Sequence, residues 1–202
     1  RLLAHSRDPH GALARLARLT WLALLAWLAL LAAPALAQSF PADCVAQVTG
    51  VRAALAGPGG ERPADGAAWR SVALPDNWES RWPGHTGFVW YRIDWRHGCG
   101  GKPASQAALA VESIVMAGEI YLNDDLLWRD ASQVEPLSRS WNMPRYWRLP
   151  ESSVRDGANT VWIRVAGVAG QTPGLGPVYL GEPQALAREH DLRWWRNRTL
   201  FL

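Results

Sequence analysis

Along Gly87–Trp95 the apolar and polar positions alternate: Val89, Tyr91, Ile93 and Trp95 fall on one side, and Trp90, Arg92 and Asp94 on the other. A two-residue period of this kind marks a half-buried β-strand. Glu119–Leu122 and Thr160–Val165 repeat the pattern, and a strand with one apolar face needs a second apolar layer to cover it. Two packed sheets are therefore expected. Further strands are predicted over Ala107–Val115, Asn159–Ala166 and Gly174–Gly181, and Ser140–Pro150 runs extended because its prolines oppose a helix. Glu119–Trp128 reads as a hairpin with Asn123-Asp124 at the turn, where positive φ is tolerated. Gln38–Ala56 is only weakly periodic, Gly57–Gly60 and Arg62–Gly66 make a turn-rich loop, and Trp69–Trp78 is extended up to a turn at Asp76-Asn77. Ser152–Gly157 is a turn. The predicted class is all-β, a sandwich of short strands with almost no helical period between them.

The two ends of the chain depart from this pattern. Residues 1–18 are basic, Leu19–Ala33 is an uncharged apolar run, and Pro34-Ala-Leu-Ala37-Gln38 supplies a small-x-small site. That is the order of a secretory signal cleaved after Ala37, with an uncleaved membrane anchor as the alternative. Either way residues 38 onward are exported. From Pro183 a helix is expected, and Trp194-Trp195 beside basic residues, followed by Thr199-Leu-Phe-Leu202, resembles a membrane boundary. The alternative is an amphipathic helix packed on the sandwich. The expected organisation is a signal peptide or anchor over 1–37, a sandwich over 38–182, and a helix over 183–202 that leads into a truncated transmembrane segment.

Composition sharpens this in three places. Of 202 residues 49% are hydrophobic, enough for one ordinary core plus a targeting segment. The formal charge of +3 owes much to Arg1, Arg7, Arg15 and Arg18 in the leader, so the remainder is close to neutral and a nucleic-acid partner has no support. Cys44 and Cys99 both fall in the exported part, where they read as a disulfide closing a loop of about 55 residues or as two free thiols. Thirteen tryptophans suit core packing, sugar stacking or a membrane interface alike. Spacing yields no zinc set, phosphate loop or nucleophile elbow, so no cofactor and no metal is expected. Asp76 with Glu79, and Asp124 with Asp125, are the nearest thing to paired acids, and the latter two suit a calcium site only in part. His85, His97 and His190 are isolated. The candidate site is a binding one: Trp78, Trp82, Trp128, Trp141 and Trp147 lie in or beside loops, with His85 among them, and Arg81, Arg129 and Arg145 beside them offer paired donors for a carboxylate.

The motifs Leu74-Pro-Asp-Asn-Trp78, Gly87-Phe-Val-Trp-Tyr-Arg92, Ile120-Tyr-Leu-Asn123 and Gly157-Ala-Asn-Thr-Val-Trp-Ile-Arg-Val165 resemble the galactose-binding-like jelly roll over about residues 66–182. The resemblance is to the sugar-binding domain of family 2 glycoside hydrolases and to the extracytoplasmic sensory modules of bacterial receptors, including sensor histidine kinases and diguanylate cyclases. It implies that the fragment is not itself an enzyme, because the hydrolases carry acid and nucleophile in a separate barrel. With leader and membrane boundary it implies a periplasmic ligand-sensing domain of an inner-membrane receptor, a histidine kinase above all. The implied partners are a small molecule, glycan or periplasmic protein, the membrane through flanking helices, and a second copy in a homodimeric receptor. The alternative is a secreted carbohydrate-binding module or the leading domain of a glycoside hydrolase. One departure is local: the turn reads Asn123-Asp124-Asp125 where the family has Asn-Gly, which allows a hairpin one residue longer.

Overall fold

The computed structural model describes residues 46–98 and 106–199. The leader with its cleavage point, the Cys44–Cys99 pairing and the membrane entry at residues 200–202 lie outside the described residues.

The strands in chain order are β1 (Ala46–Leu55), β2 (Arg70–Ser71), β3 (Asp76–Asn77), β4 (Gly87–His97), β5 (Ala108–Val111), β6 (Ala117–Leu122), β7 (Asp125–Arg129), β8 (Arg145–Arg148), β9 (Gly157–Gly167), β10 (Gly174–Leu175) and β11 (Val178–Gly181), followed by helix α1 (Pro183–Thr199). The six-stranded sheet has the order β2-β1-β4-β9-β6-β7, the three-stranded sheet β11-β5-β8, and β10 pairs with β3. The described residues are thus mostly β, with one C-terminal helix. β4 and β9 form the central ladder, antiparallel from Gly87 opposite Gly167 to His97 opposite Gly157. The inward positions Val89, Tyr91, Ile93 and Trp95 join Ile120, Leu122, Val161, Ile163 and Val165 in one buried cluster with Leu109 and Val111 of β5, while Trp147, Val178 and Leu180 pack onto it from the small sheet. Each large side chain so removed from water contributes about 1.5–3 kcal/mol.

Three local outcomes differ from the pattern-based expectation. Glu119–Leu122 and Thr160–Val165, which resemble β4 in pattern, lie in its own sheet; the facing layer comes from β5, β8 and β11, whose four-residue lengths leave little period to read. Weakly periodic Gln38–Ala56 holds a ten-residue strand, β1, whose register shifts between Val48 and Gly50 and so breaks its own alternation. In the β6–β7 hairpin, Leu122 faces Asp125, leaving a two-residue turn with Asn123 at φ 54°. The extra residue enters further along, as Leu127 of β7 bulging opposite Ile120 and Tyr121.

Both outer faces of the sandwich are covered. On the large sheet, the 56–69 loop acts as a roof: Trp90 Nε1 donates to Gly60 O at 3.0 Å, the Trp69 and Trp162 ring centroids lie 5.7 Å apart, and the Arg62 guanidinium lies 4.6–5.6 Å from the rings of Trp162, Trp90 and Tyr121. Beneath it Glu119 is only 2% exposed, accepts from Arg164 Nη2 (2.5 Å), Gln133 Nε2 (2.7 Å) and the Tyr121 hydroxyl, and is ion-paired with Arg129 Nε (2.9 Å). Burial by itself would raise the Glu119 pKa, but these partners together outweigh it and hold the carboxyl below its ordinary value.

The small sheet is covered by α1. Glu182 caps the helix, its carboxylate accepting from the backbone N–H of Gln184 (2.8 Å) and Ala185 (2.7 Å). The outward Ala108 and Ala110 of β5 are buried and small enough for a helix to approach closely. Tyr146 donates to Pro183 O at 2.9 Å, and Arg193 pairs with Glu112 at 2.6 Å. His190, expected as an isolated surface residue, instead stacks on Tyr146 at 5.8 Å with Nε2 3.2 Å from Pro144 O. Residues 183–199 therefore form a helix that packs on the small sheet. No helix among the described residues is long and apolar enough to cross a membrane.

Candidate functional site

The candidate binding residues separate into groups, and most of them are structural. Trp78 opens a 3-10 turn (Trp78–Ser80) whose N-cap is Asn77, and the turn directs the indole inward. It is fully buried against Gly167 and Pro173, so it is core and not a stacking platform. Arg81 is ion-paired to buried Asp76, which also accepts from the Tyr91 hydroxyl at 2.7 Å; its charge is matched inside the fold and not offered to a ligand. Burial first, and the Asp76 carboxylate second, push the Tyr91 phenol far above its ordinary pKa. Trp82 is half-buried against the core with Arg81 5.2 Å from its ring, and His85 sits 6.3 Å from the Trp78 ring.

The second group braces a loop. Trp128 and Trp147 pack on the core with their rings 5.8 Å apart, and Arg129 closes the Glu119 network. Arg145, expected to present paired donors outward, is buried 4.5 Å from the Trp128 ring and 3.6 Å from Asp130, and it donates to Ser140 Oγ at 2.6 Å. Burial lowers its pKa while Asp130 acts in the opposite sense. Asp130 in turn accepts from Gly118 N and Ser140 Oγ, both at 2.9 Å, and Ser140 N donates to Met116 O at 3.2 Å. The residue after this anchored serine is Trp141. Its side chain is held outward, 59% exposed.

Trp141, one of the predicted residues, lines a cavity. A groove of about 460 Å³ is lined by Trp141 and Asn142 from the β7–β8 loop, Glu112 and Ser113 after β5, and Arg196 and Asn197 near the end of α1. That volume lies within the usual range for small-molecule clefts, about 300–1,000 Å³. Its lining combines one indole face with amides, a hydroxyl, a carboxylate and a guanidinium, the mixture needed to stack a flat apolar surface and bond surrounding hydroxyls. The sequence reading missed Glu112, Ser113, Asn142, Arg196 and Asn197, because they converge only through the α1 packing. Arg196 was assigned to a membrane boundary on its neighbouring tryptophans. Asn142, directly after Trp141, is the one that adjacency could have suggested.

Three of the four carboxylates in the proposed acid pairs meet partners within the chain. Asp76 is engaged as above, Glu79 accepts from Gly170 N at 2.5 Å, and Asp124 meets Arg62 at 3.4 Å and Arg155 at 3.2 Å. Asp124 thus already faces two cations where a calcium ion would sit. Among the described residues no group of three or more His, Cys, Asp or Glu is placed to hold a metal.

Neither a protein-family model nor a curated protein sequence matches the chain. Among solved structures it is similar to a β-galacturonidase of glycosyl hydrolase family 2 from Eisenbergiella tayi bound to glycerol (TM-score 0.48, 11% identity, 68% of this chain and 24% of that one). It is also similar to a family 2 member from Bacteroides cellulosilyticus (0.47, 16%, 67% and 20%) and to an FMN-binding β-glucuronidase from Facaelibacterium prausnitzii L2-6 (0.46, 15%, 67% and 22%). The chain spans only about a fifth to a quarter of the length of these enzymes. At that level the likeness assigns no function.

Proposed function

We propose that this is a non-catalytic carbohydrate-binding domain of the galactose-binding-like jelly-roll type, exported from the cytoplasm, which takes a glycan in the groove beside Trp141. The observation that carries the reading is the exposed indole on the wall of a cavity lined by hydrogen-bonding side chains. An indole on a cavity wall offers a flat apolar face, and a sugar ring presents an apolar C–H face of suitable shape with hydroxyls around its rim. The bracing of Ser140 by Arg145 and Asp130 supports it further, since a platform held by buried ionic contacts loses little freedom on binding. The test is titration of the purified chain against a glycan panel by calorimetry, with Trp141→Ala in parallel. Binding should weaken about tenfold or more in the variant while its near-ultraviolet dichroism shows an intact fold. A variant that binds as tightly as the parent would defeat the reading.

A second reading, the sensory domain of a membrane receptor whose kinase or cyclase lies elsewhere, draws on the groove's construction. One wall is α1, so an occupant touches Arg196 and Asn197 on the helix and Glu112 and Ser113 on the sheet loop together. A ligand that favours one setting of that helix would shift its population. Under this reading saturating glycan changes amide exchange along residues 183–199, whereas a plain binding module leaves the helix unaltered.

A further inference from the structure

The charges around the groove do not cancel locally. Glu112 is matched: its Oε1 is ion-paired with Arg193 Nη1 at 2.6 Å and accepts from the Tyr179 hydroxyl at 2.9 Å. Arg193 is matched as well, since its Nη2 reaches Glu189 at 3.0 Å one helical turn back. Arg196 is different. Its neighbours on the same helical face at i−4 and i−3 are Leu192 and Arg193, neither of which is an acid that could pair with it as Glu189 pairs with Arg193. Arg196 makes no ion pair or hydrogen bond among the described residues, yet it lines the same groove as Trp141.

From this we infer that the groove takes an anionic glycan, with the charged group of the sugar on Arg196 and a ring of the chain on Trp141. The inference rests on the carbohydrate-binding reading and narrows it. A guanidinium offers two parallel donors that fit a carboxylate or a sulfate ester, and such a charge-assisted pair beside a partly enclosed apolar wall is stronger than the same pair in open water. Ser113, Asn142 and Asn197 can bond hydroxyls and amides of either charge type, so they support any glycan. Arg196 is the element that discriminates.

The experiment compares three probes on the purified full chain by calorimetry: an oligomannuronate, a sulfated agar oligosaccharide and a neutral cello-oligosaccharide. At least one anionic probe should bind about tenfold more tightly than the neutral one, and which does so separates carboxylate from sulfate recognition. Arg196→Gln should abolish that preference, while Arg196→Lys should restore part of it. Raising salt from about 50 to about 500 mM should reduce the anionic advantage in the parent and do little in Arg196→Gln. Equal binding of all three probes, lost in Trp141→Ala, would overturn the anionic assignment and leave the carbohydrate reading standing. Binding of none, across the wider panel, would overturn both.

Discussion

Replacing Glu119 by alanine tests the argument that the outer face of the large sheet is sealed. The wild-type carboxylate is 2% exposed and holds four partners, with Arg164 the most dependent on it because that side chain is only 19% exposed. Removing one partner of a buried pair typically costs about 3–5 kcal/mol, since the remaining charge is left without compensation. The low end applies here. Arg164 keeps Gln133 Oε1 at 2.9 Å and Gly60 O at 3.2 Å, and Arg129, 53% exposed, can turn to water. A loss of about 3 kcal/mol, with a urea slope of about 2 kcal/mol/M, moves the unfolding midpoint down by about 1.5 M. The pH dependence has a definite sign. Because the folded carboxyl is held below its ordinary value, its contribution is present above the unfolded pKa near 4.3 and fades as pH falls through the folded value. The gap between parent and Glu119→Ala should therefore be full at pH 7 and shrink below about pH 4. Replacing Glu119 and Arg164 together by methionine should recover much of the loss. A single-variant cost under about 1 kcal/mol, with no narrowing in acid, would refute the claim that the 56–69 loop excludes water from this network.

Two further stability predictions follow from backbone positions. A Cβ on Gly174 would run into the Asp76 carbonyl, so Gly174→Ala should lose about 3 kcal/mol and lower Tm by roughly 10 °C in calorimetry, whereas Gly66→Ala, with nothing within 4 Å of the added carbon, should be near neutral. Asn123 at φ 54° donates to Ser153 O (2.8 Å) and Asn159 Oδ1 (3.0 Å) and accepts from Thr160 N (3.0 Å). Asn123→Ala should cost about 2–3 kcal/mol in urea unfolding and Asn123→Gly about 1 kcal/mol less, because glycine keeps the backbone conformation without the bonds.

Strands with a strict two-residue period were legible, and those that served a different purpose were not. Val89 to Trp95 could be assigned from alternation because each inward residue meets the same core. β1 could not, since its bulge at Val48–Gly50 changes which side faces inward partway along. The outer-face residues Trp90 and Glu119 carried no hint of burial, because that burial depends on a loop some 30 residues away in sequence for Trp90 and more for Glu119. The binding set suffered from the same cause. Nothing local separates the buried Trp78 from the exposed Trp141; the distinction arises from a turn that points one indole inward and a braced serine that points the other out. The groove needs α1 laid back along β5, which no local periodicity encodes.

Because a roof closes one flat side of the sandwich and a helix closes the other, variation in recognition is confined to the rim where strand ends meet. If the groove beside Trp141 binds a glycan as proposed, the segments carrying Ser113, Trp141 and Asn197 are where its choice of ligand can be rewritten while the ladder between Gly87 and Gly167 stays untouched.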